Sequence, residues 1–137
     1  MIQEIHPREE MRDNMPFAPA VEVTNVGRLI FLAGCSPLPL YHKHPHVPDE
    51  IRLSAEIEEQ THKAMQKVEM ILEAANIGFD SIVKITEYVV DIREINEIRK
   101  VMREYLGDHR PPRTLVEISA LSSPQARVEF DMIAVAK

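Results

Sequence analysis

Two segments of the chain carry apolar residues at the spacing of an amphipathic helix. The first begins near Ser54 and ends near Gly78, with charged residues between apolar positions that recur every three or four residues. The second begins at Asp91, which together with Glu94 resembles a capping box. We therefore predict two helices, the first capped by Ser54, with Gly78 and Gly107 as their respective stops.

Five other segments have the β-branched and aromatic composition of strands. They cover residues 21–25, 28–33, 81–90, 113–118 and 126–135. A turn at Asn25–Gly27 predicts that the first two segments form a hairpin, and the almost wholly apolar second strand is expected to be buried. The last two segments could also pair as a simple hairpin, with its turn at about Ser122 to Gln125.

The order of these elements is strand, strand, helix, strand, helix, strand, strand. It predicts an α+β fold, a mixed β-sheet covered on one face by two helices, in a single domain of residues 1–137. Residues 1–19 are expected to form an extended N-terminal arm, and residues 35–53, which carry four prolines, a long irregular loop. Because one sheet face lacks a helix in a chain that is 45% hydrophobic, we predict an oligomer.

Charge and cysteine content limit the partners and the compartment. A formal net charge of −6 argues against nucleic acid as the main partner, since phosphate binding relies on clustered lysine and arginine. The single cysteine, Cys35, cannot form an intramolecular disulfide. No apolar run approaches the length of a signal peptide or the ~20 residues of a membrane span. We therefore expect a cytoplasmic protein with no membrane partner.

Two charged residues stand where strands usually place apolar side chains. Arg113 follows two prolines at the start of one strand, and Glu129 lies inside the last one. A guanidinium can hold a carboxylate through two parallel hydrogen bonds, and a carboxylate in a partly dry cleft can orient or deprotonate water. The pair suggests hydrolysis of a small anionic substrate. In a simple hairpin the two residues would lie roughly 15 Å apart, a gap that a site shared between subunits would close.

Ordinary structural explanations remain open for the same residues. Arg113 has the alternative of a surface arginine at a strand start, and Glu129 that of a solvent-facing residue on the face of Arg127 and Asp131. A nucleophilic role for Cys35 would need a positioned base, and none can be identified, so a core or cleft-lining role is favoured.

Three alternating histidines raise the question of a metal. They are His42, His44 and His46, in the long loop. Their imidazoles could converge on zinc, yet a structural zinc site usually has more ligands, including cysteine or acidic groups. We therefore expect a solvated loop and no metal.

Several segments resemble the Rid family, the reactive intermediate deaminases, also called the YjgF family and the L-PSP endoribonucleases. The resemblance runs from about Met15 to the C-terminus. It is carried by residues 26–34, 59–61, 72–75, 83–91, 112–117 and 128–129. The order and spacing of these segments are more specific than any one of them.

The resemblance implies a chorismate-mutase-like fold assembled as a homotrimer, with clefts at the subunit interfaces. It implies hydrolysis of enamines and imines derived from amino acids, without metal or organic cofactor, to give a keto acid and ammonia. Arg113 would hold the carboxylate of the small-molecule substrate, and Glu129 would position the attacking water. The other residues expected to bind substrate are Phe17, Gly34, Cys35, Thr114, Arg99 and Arg110.

Two departures from the family pattern bear on the substrate, and a third points to a subgroup. Phe17 and Ala18 stand where the family commonly has Tyr followed by Ser, and Arg99 stands where an Asn is often found. The long loop and the interval from Arg113 to Glu129 are similar to those of 2-aminomuconate deaminases, whose substrate has two carboxylates. Arg99, Arg110 and the histidine-bearing loop would then supply a second anion contact.

Two other functions are weaker alternatives. A regulator could use the same cleft to sense a keto acid or an aromatic acid without turning it over, although the presence of both Arg113 and Glu129 favours catalysis. A ribonuclease is disfavoured by the acidic charge and by the absence of an obvious pair of catalytic histidines.

Overall fold

The computed structural model describes residues 1–137 and contains six strands and two helices. The strands are β1 (Ile2–Ile5), β2 (Ala20–Val23), β3 (Arg28–Phe31), β4 (Ile82–Val89), β5 (Arg113–Glu117) and β6 (Val128–Ala136). The helices are α1 (Ile57–Ala74) and α2 (Ile95–Leu106), and short 3-10 turns cover residues 9–14, 79–81 and 92–94. None of the helices has the length and apolar character that a membrane crossing requires.

Four strands form the main sheet in the order β3-β6-β4-β5. β5 runs parallel to β4, while β6 runs antiparallel to both β4 and β3. The core lies between this sheet and the two helices, and its largest buried side chains include Phe130, Met132 and Ile85 from the sheet and Met65 and Met102 from the helices. The predicted mixed sheet with two helices on one face is confirmed.

Neither predicted hairpin forms. β2 pairs with β1 in a separate two-stranded sheet, and β3 pairs with the second half of β6. β5 and β6 lie on either side of β4 and do not pair. The turn signals are present, but the nine-residue β6 is long enough to pair with both β3 and β4, and these long-range pairings prevail over the local ones.

The N-terminal 19 residues are more ordered than the expected extended arm. β1 pairs with β2 from Ile2 opposite Val23 to Ile5 opposite Ala20. The Arg110 side chain donates hydrogen bonds to backbone carbonyls of residues 12 and 15, each 3.1 Å long. The arm is therefore attached to the segment that leads into β5.

The ends of α1 differ from the prediction, whereas the end of α2 agrees with it. Ser54 does not cap α1, because its hydroxyl accepts from the Glu56 amide ahead of the helix. The chain leaves α1 through Asn76, which adopts a positive φ of 58°, and not through Gly78. α2 follows the 3-10 turn after Asp91 and ends at Gly107, whose φ of 59° suits glycine.

The sheet face turned away from the helices, here called the open face, carries exposed apolar side chains. On β3, Leu29 is 55% exposed and Phe31 is 70% exposed, so the predicted burial of this strand is wrong for the single chain. Val116 of β5 lies on the same face and is also exposed. Alternation along each strand causes this, because only every second side chain can reach the helices.

Candidate active site

Arg113 is the first residue of β5 and points toward α2. It lies opposite Ile85 of β4, whose side chain is fully buried beneath the helices. Its guanidinium donates from Nε and Nη2 to the two carboxylate oxygens of Glu87, at 3.3 and 3.0 Å. Nη2 also lies 3.2 Å from Sδ of Met102. The Arg113 side chain is only 8% exposed, so the guanidinium is held in one orientation.

Glu87 is a buried carboxylate that the sequence analysis missed. The alternation of β4 places it with Ile85 and Val89 on the helix face, where its side chain is 0% exposed. Burying an unpaired carboxylate costs several kcal/mol, by a rough estimate, so the site needs cations around it. Arg113 supplies one, and Arg99 supplies another with Nη2 3.7 Å away. The sequence signal that could have identified Glu87 is its position, because it alternates together with the buried apolar residues of β4.

Two guanidiniums around one carboxylate leave a surplus positive charge. Nε of Arg99 is buried and has no hydrogen-bond partner. Nη1 of Arg113 also makes no hydrogen bond, since its contacts to Glu87 and Met102 use Nε and Nη2. Both arginines line a cavity of about 600 Å³, whose other charged lining residues are Arg103 and Arg110 and the acidic Asp13 and Asp108. The four arginines outnumber the two aspartates, so the lining keeps a net positive charge. The cavity is therefore suited to an anion.

The other predicted substrate-binding residues near Arg113 in the chain or in space have different surroundings. Arg110 lines the cavity, but its guanidinium is engaged by the N-terminal segment, including Asp13 at 3.7 Å. Phe17 is half-buried. Thr114 points to the open face, where its hydroxyl accepts a 2.8 Å hydrogen bond from Lys84. Arg110 therefore shares a cavity with Arg113, whereas Thr114 lies on the other face of the sheet.

Glu129 lies on the open face of the sheet. It is opposite Tyr88 in β4 and half-buried, and its carboxylate receives no hydrogen bond from the rest of the chain. Gly34 lies directly against it: a Cβ at that position would meet Oε2 of Glu129 at 2.8 Å. A glycine at position 34 thus leaves space for the carboxylate, whose oxygens are free to accept from a water or a substrate.

Cys35 follows Gly34 and is held to β6 through its backbone. The amide of Cys35 donates to the carbonyl of Phe130 at 2.7 Å, and the reciprocal hydrogen bond is 2.9 Å long. Burial raises the pKa of the Cys35 thiol to about 11. The thiol therefore stays protonated at neutral pH and lacks the reactivity of a nucleophile, in agreement with the core or cleft-lining role favoured above.

A buried lysine accompanies this group. Lys67 of α1 is 8% exposed, and burial lowers its pKa, while the charges of Cys35 and Glu129 act in the opposite direction. It lines a second cavity, of about 340 Å³, together with Leu38, Gln60 and other residues. Lys67 is thus a buried lysine in the electrostatic neighbourhood of Glu129 that the sequence analysis did not identify.

Arg113 and Glu129 do not meet within one chain. Their partners on β4, Ile85 and Tyr88, are three residues apart and point to opposite faces. With two strand spacings between β5 and β6, the Cα atoms are separated by about 14 Å. The expected gap is therefore real, although it arises from a different strand order than the predicted hairpin, and the sheet itself stands between the two side chains.

The chain is similar to proteins of one known family. Residues 10–136 match the model of a family described as Endoribonuclease L-PSP. The chain belongs to this family. A RutC family protein of Pyrococcus abyssi is 30% identical over 119 residues, which are 87% of each chain. TdcF of Escherichia coli, provisionally named a reactive intermediate deaminase, is 23% identical over 130 residues, covering 93% of this chain and 94% of TdcF.

Solved structures give the same fold. The Rid family protein YyfB of Yersinia pestis superimposes with a TM-score of 0.78 and covers 98% of both chains at 21% identity. Escherichia coli TdcF with bound serine has a TM-score of 0.68, with 90% of each chain covered at 22% identity. The resemblance to the Rid family noted from the sequence is therefore confirmed.

Proposed function

We propose that this protein is a cofactor-independent deaminase that hydrolyses an enamine or imine derived from an amino acid. The observation that carries the proposal is the carboxylate of Glu129, which lies over Gly34 with no hydrogen-bond partner in its own chain. A carboxylate that has no partner in its own chain is suited to orient water. The provisional naming of TdcF as a reactive intermediate deaminase supports the same chemistry.

The reaction needs little from the protein beyond orientation and charge. Water adds to the carbon of the protonated imine, and Glu129 accepts a proton from that water. The proton passes to the nitrogen of the tetrahedral adduct. The C–N bond then breaks while the adduct hydroxyl gives its proton back to Glu129, and the products are a keto acid and ammonia, which takes up that proton as ammonium. Arg113 holds the substrate carboxylate through Nη1, the guanidinium nitrogen that Glu87 and Met102 leave free.

We propose that the complete site lies between two copies of the chain in a homotrimer. Arg113 and Glu129 face opposite sides of one sheet, so a substrate that touches both requires Arg113 from one copy and Glu129 from another. The exposed side chains of Leu29, Phe31 and Val116 provide an apolar surface for that association.

The finer proposal concerns the substrate. Arg99 and Arg103 extend the positive cavity beyond Arg113, and Nε of Arg99 has no partner. A substrate with a second carboxylate, of the 2-aminomuconate type, would place that group at Arg99. Arg110 is a weaker candidate for this contact, because it is already bound to the N-terminal segment.

Ammonia release from enzymatically generated 2-aminoacrylate and 2-aminomuconate tests the proposal. Glu129→Gln and Arg113→Ala should each remove the acceleration, whereas Asp131→Asn, two residues along the same face, should retain it. Arg99→Ala should raise KM for the dicarboxylate and leave the monocarboxylate unaffected. If the wild type accelerates neither reaction but binds the keto acids saturably, the protein is a sensor and the proposal is wrong.

A further inference from the structure

The loop between β3 and α1 brings three histidines together. The metal-ligating nitrogen atoms of His42, His44 and His46 all lie within 4.8 Å of one another. Their ring centroids are 4.7 to 5.1 Å apart. His42 is half-buried and the other two are exposed. The solvated loop expected from the sequence is therefore also a compact imidazole cluster.

One hydrogen bond shows which nitrogen of the His42 ring carries a proton. Nδ1 of His42 lies 2.8 Å from the carbonyl oxygen of Pro39. A carbonyl can only accept, so Nδ1 carries a proton and donates it, and in the neutral ring the lone pair of Nε2 is therefore free. A backbone carbonyl on the distal ring nitrogen is the usual second contact of a metal-bound histidine, where it orients the ring and strengthens the ligand.

The backbone of the loop is also anchored. The amide of Lys43, between the first two histidines, donates to the Glu50 carboxylate at 2.7 Å. The Glu50 amide in turn donates to the carbonyl of Val47 at 2.9 Å. Four prolines in residues 35–53 further restrict the unbound loop. Metal binding would therefore order only side chains, at a small cost in entropy.

We propose that His42, His44 and His46 bind one Zn²⁺ ion, with water in the fourth position. Zinc binds imidazole nitrogen at about 2.0–2.1 Å, so tetrahedral ligands are separated by about 3.3 Å. With His42 held in place, movement of the ligating nitrogens of the two exposed rings by up to about 1.5 Å would bring them to that spacing. Nickel and copper share the preference for imidazole and are outcomes to compare. The ion would tie residues 42–46 to Pro39, which lines the 340 Å³ cavity beside Lys67.

Calorimetric titration of Zn²⁺ into the full chain, prepared without a histidine tag, tests this proposal. We expect one ion per chain, and His44→Ala or His46→Ala should weaken binding by more than about tenfold, since even second contacts of zinc ligands are worth 10- to 100-fold. The matched control is His62→Ala, a histidine outside the loop that is bonded to Tyr105.

Two results would contradict the proposed zinc site. One is an absence of saturable binding by the wild type, and the other is binding that His44→Ala and His46→Ala leave unchanged. Substitution of Co²⁺ gives a second readout, because a tetrahedral nitrogen site absorbs strongly in the visible range and a weakly held hydrated ion does not. Both loop side chains are exposed, so circular dichroism should show the variants to be folded like the wild type.

Discussion

Arg113 and Glu129 are both charged residues in strands, but their surroundings are opposite. Arg113 is 8% exposed and bound to a fully buried carboxylate, so its charge belongs to the packed interior. Glu129 lies over a glycine on the open face and is bound to nothing in its own chain. In the proposed site, the chain would therefore fix its anion-binding group in advance and leave its water-binding group for a second copy and a substrate to complete.

The largest expected effect is a difference in how much stability is lost when the carboxylate of each region is removed. Glu87→Ala leaves the Arg113 guanidinium buried without its carboxylate, which should lower the free energy of unfolding by about 3–5 kcal/mol. Glu129→Ala removes no hydrogen bond within the chain and should lower it by less than about 1 kcal/mol. Urea unfolding of both variants measures the contrast. Equal losses would show that Glu129 is as much a part of the folded core as Glu87.

The open face offers the next test. Phe31→Asp replaces a side chain that is 70% exposed in the single chain, so the fold should survive while association fails because a charge would be buried in the interface. Sedimentation velocity should show a smaller species than the wild type. Tyr41→Asp, at an 85% exposed aromatic in the long loop, is the control. An unchanged sedimentation coefficient for Phe31→Asp would exclude this face from the interface.

A smaller effect on the reaction rate is expected from a substitution at Gly34, which would crowd the Glu129 carboxylate but leave that residue itself unchanged. In Gly34→Ala the new methyl group would meet Oε2 of Glu129 at 2.8 Å and displace the flexible carboxylate. The deaminase rate should fall by about tenfold, since a misplaced catalytic group loses most of its positioning, with little change in stability. Gly78→Ala, where the nearest atom is Oδ1 of Asp80 at 3.2 Å, is the control. A wild-type rate in Gly34→Ala would show that Glu129 takes no part in the reaction.

The smallest effect concerns the thiol beside Glu129. The pKa of Cys35 is about 11 in the folded chain, so alkylation by iodoacetamide at pH 9 should be slow until urea is added. Because the folded pKa is raised above the unfolded value of about 8.5, the stability that the thiol contributes is present below about pH 8.5 and lost as the pH rises through about 11. Rapid alkylation of the folded chain would contradict the assignment of a buried, protonated thiol.

Local sequence patterns predicted the elements well and their pairing poorly. β4 and α2 were predicted because composition and spacing within ten residues determine them. The pairing of β3 with β6 joins residues about a hundred positions apart, and no local pattern encodes it. Glu87 was missed because a charge inside a strand reads as solvent-facing until the buried phase of that strand is known. The spacing of the loop histidines raised the question of a metal site, but only the folded loop shows how closely the rings approach one another.

The proposed site takes Arg113 from one copy of the chain and Glu129 from another. The most direct measurement is the deaminase rate after Arg113→Ala and Glu129→Gln chains are denatured together, refolded and reassembled. Each variant alone should be inactive. In random mixed trimers about a quarter of the interfaces would carry both native residues, so up to about a quarter of the wild-type rate should return. Mixtures that stay as inactive as either variant alone would contradict a site shared between copies.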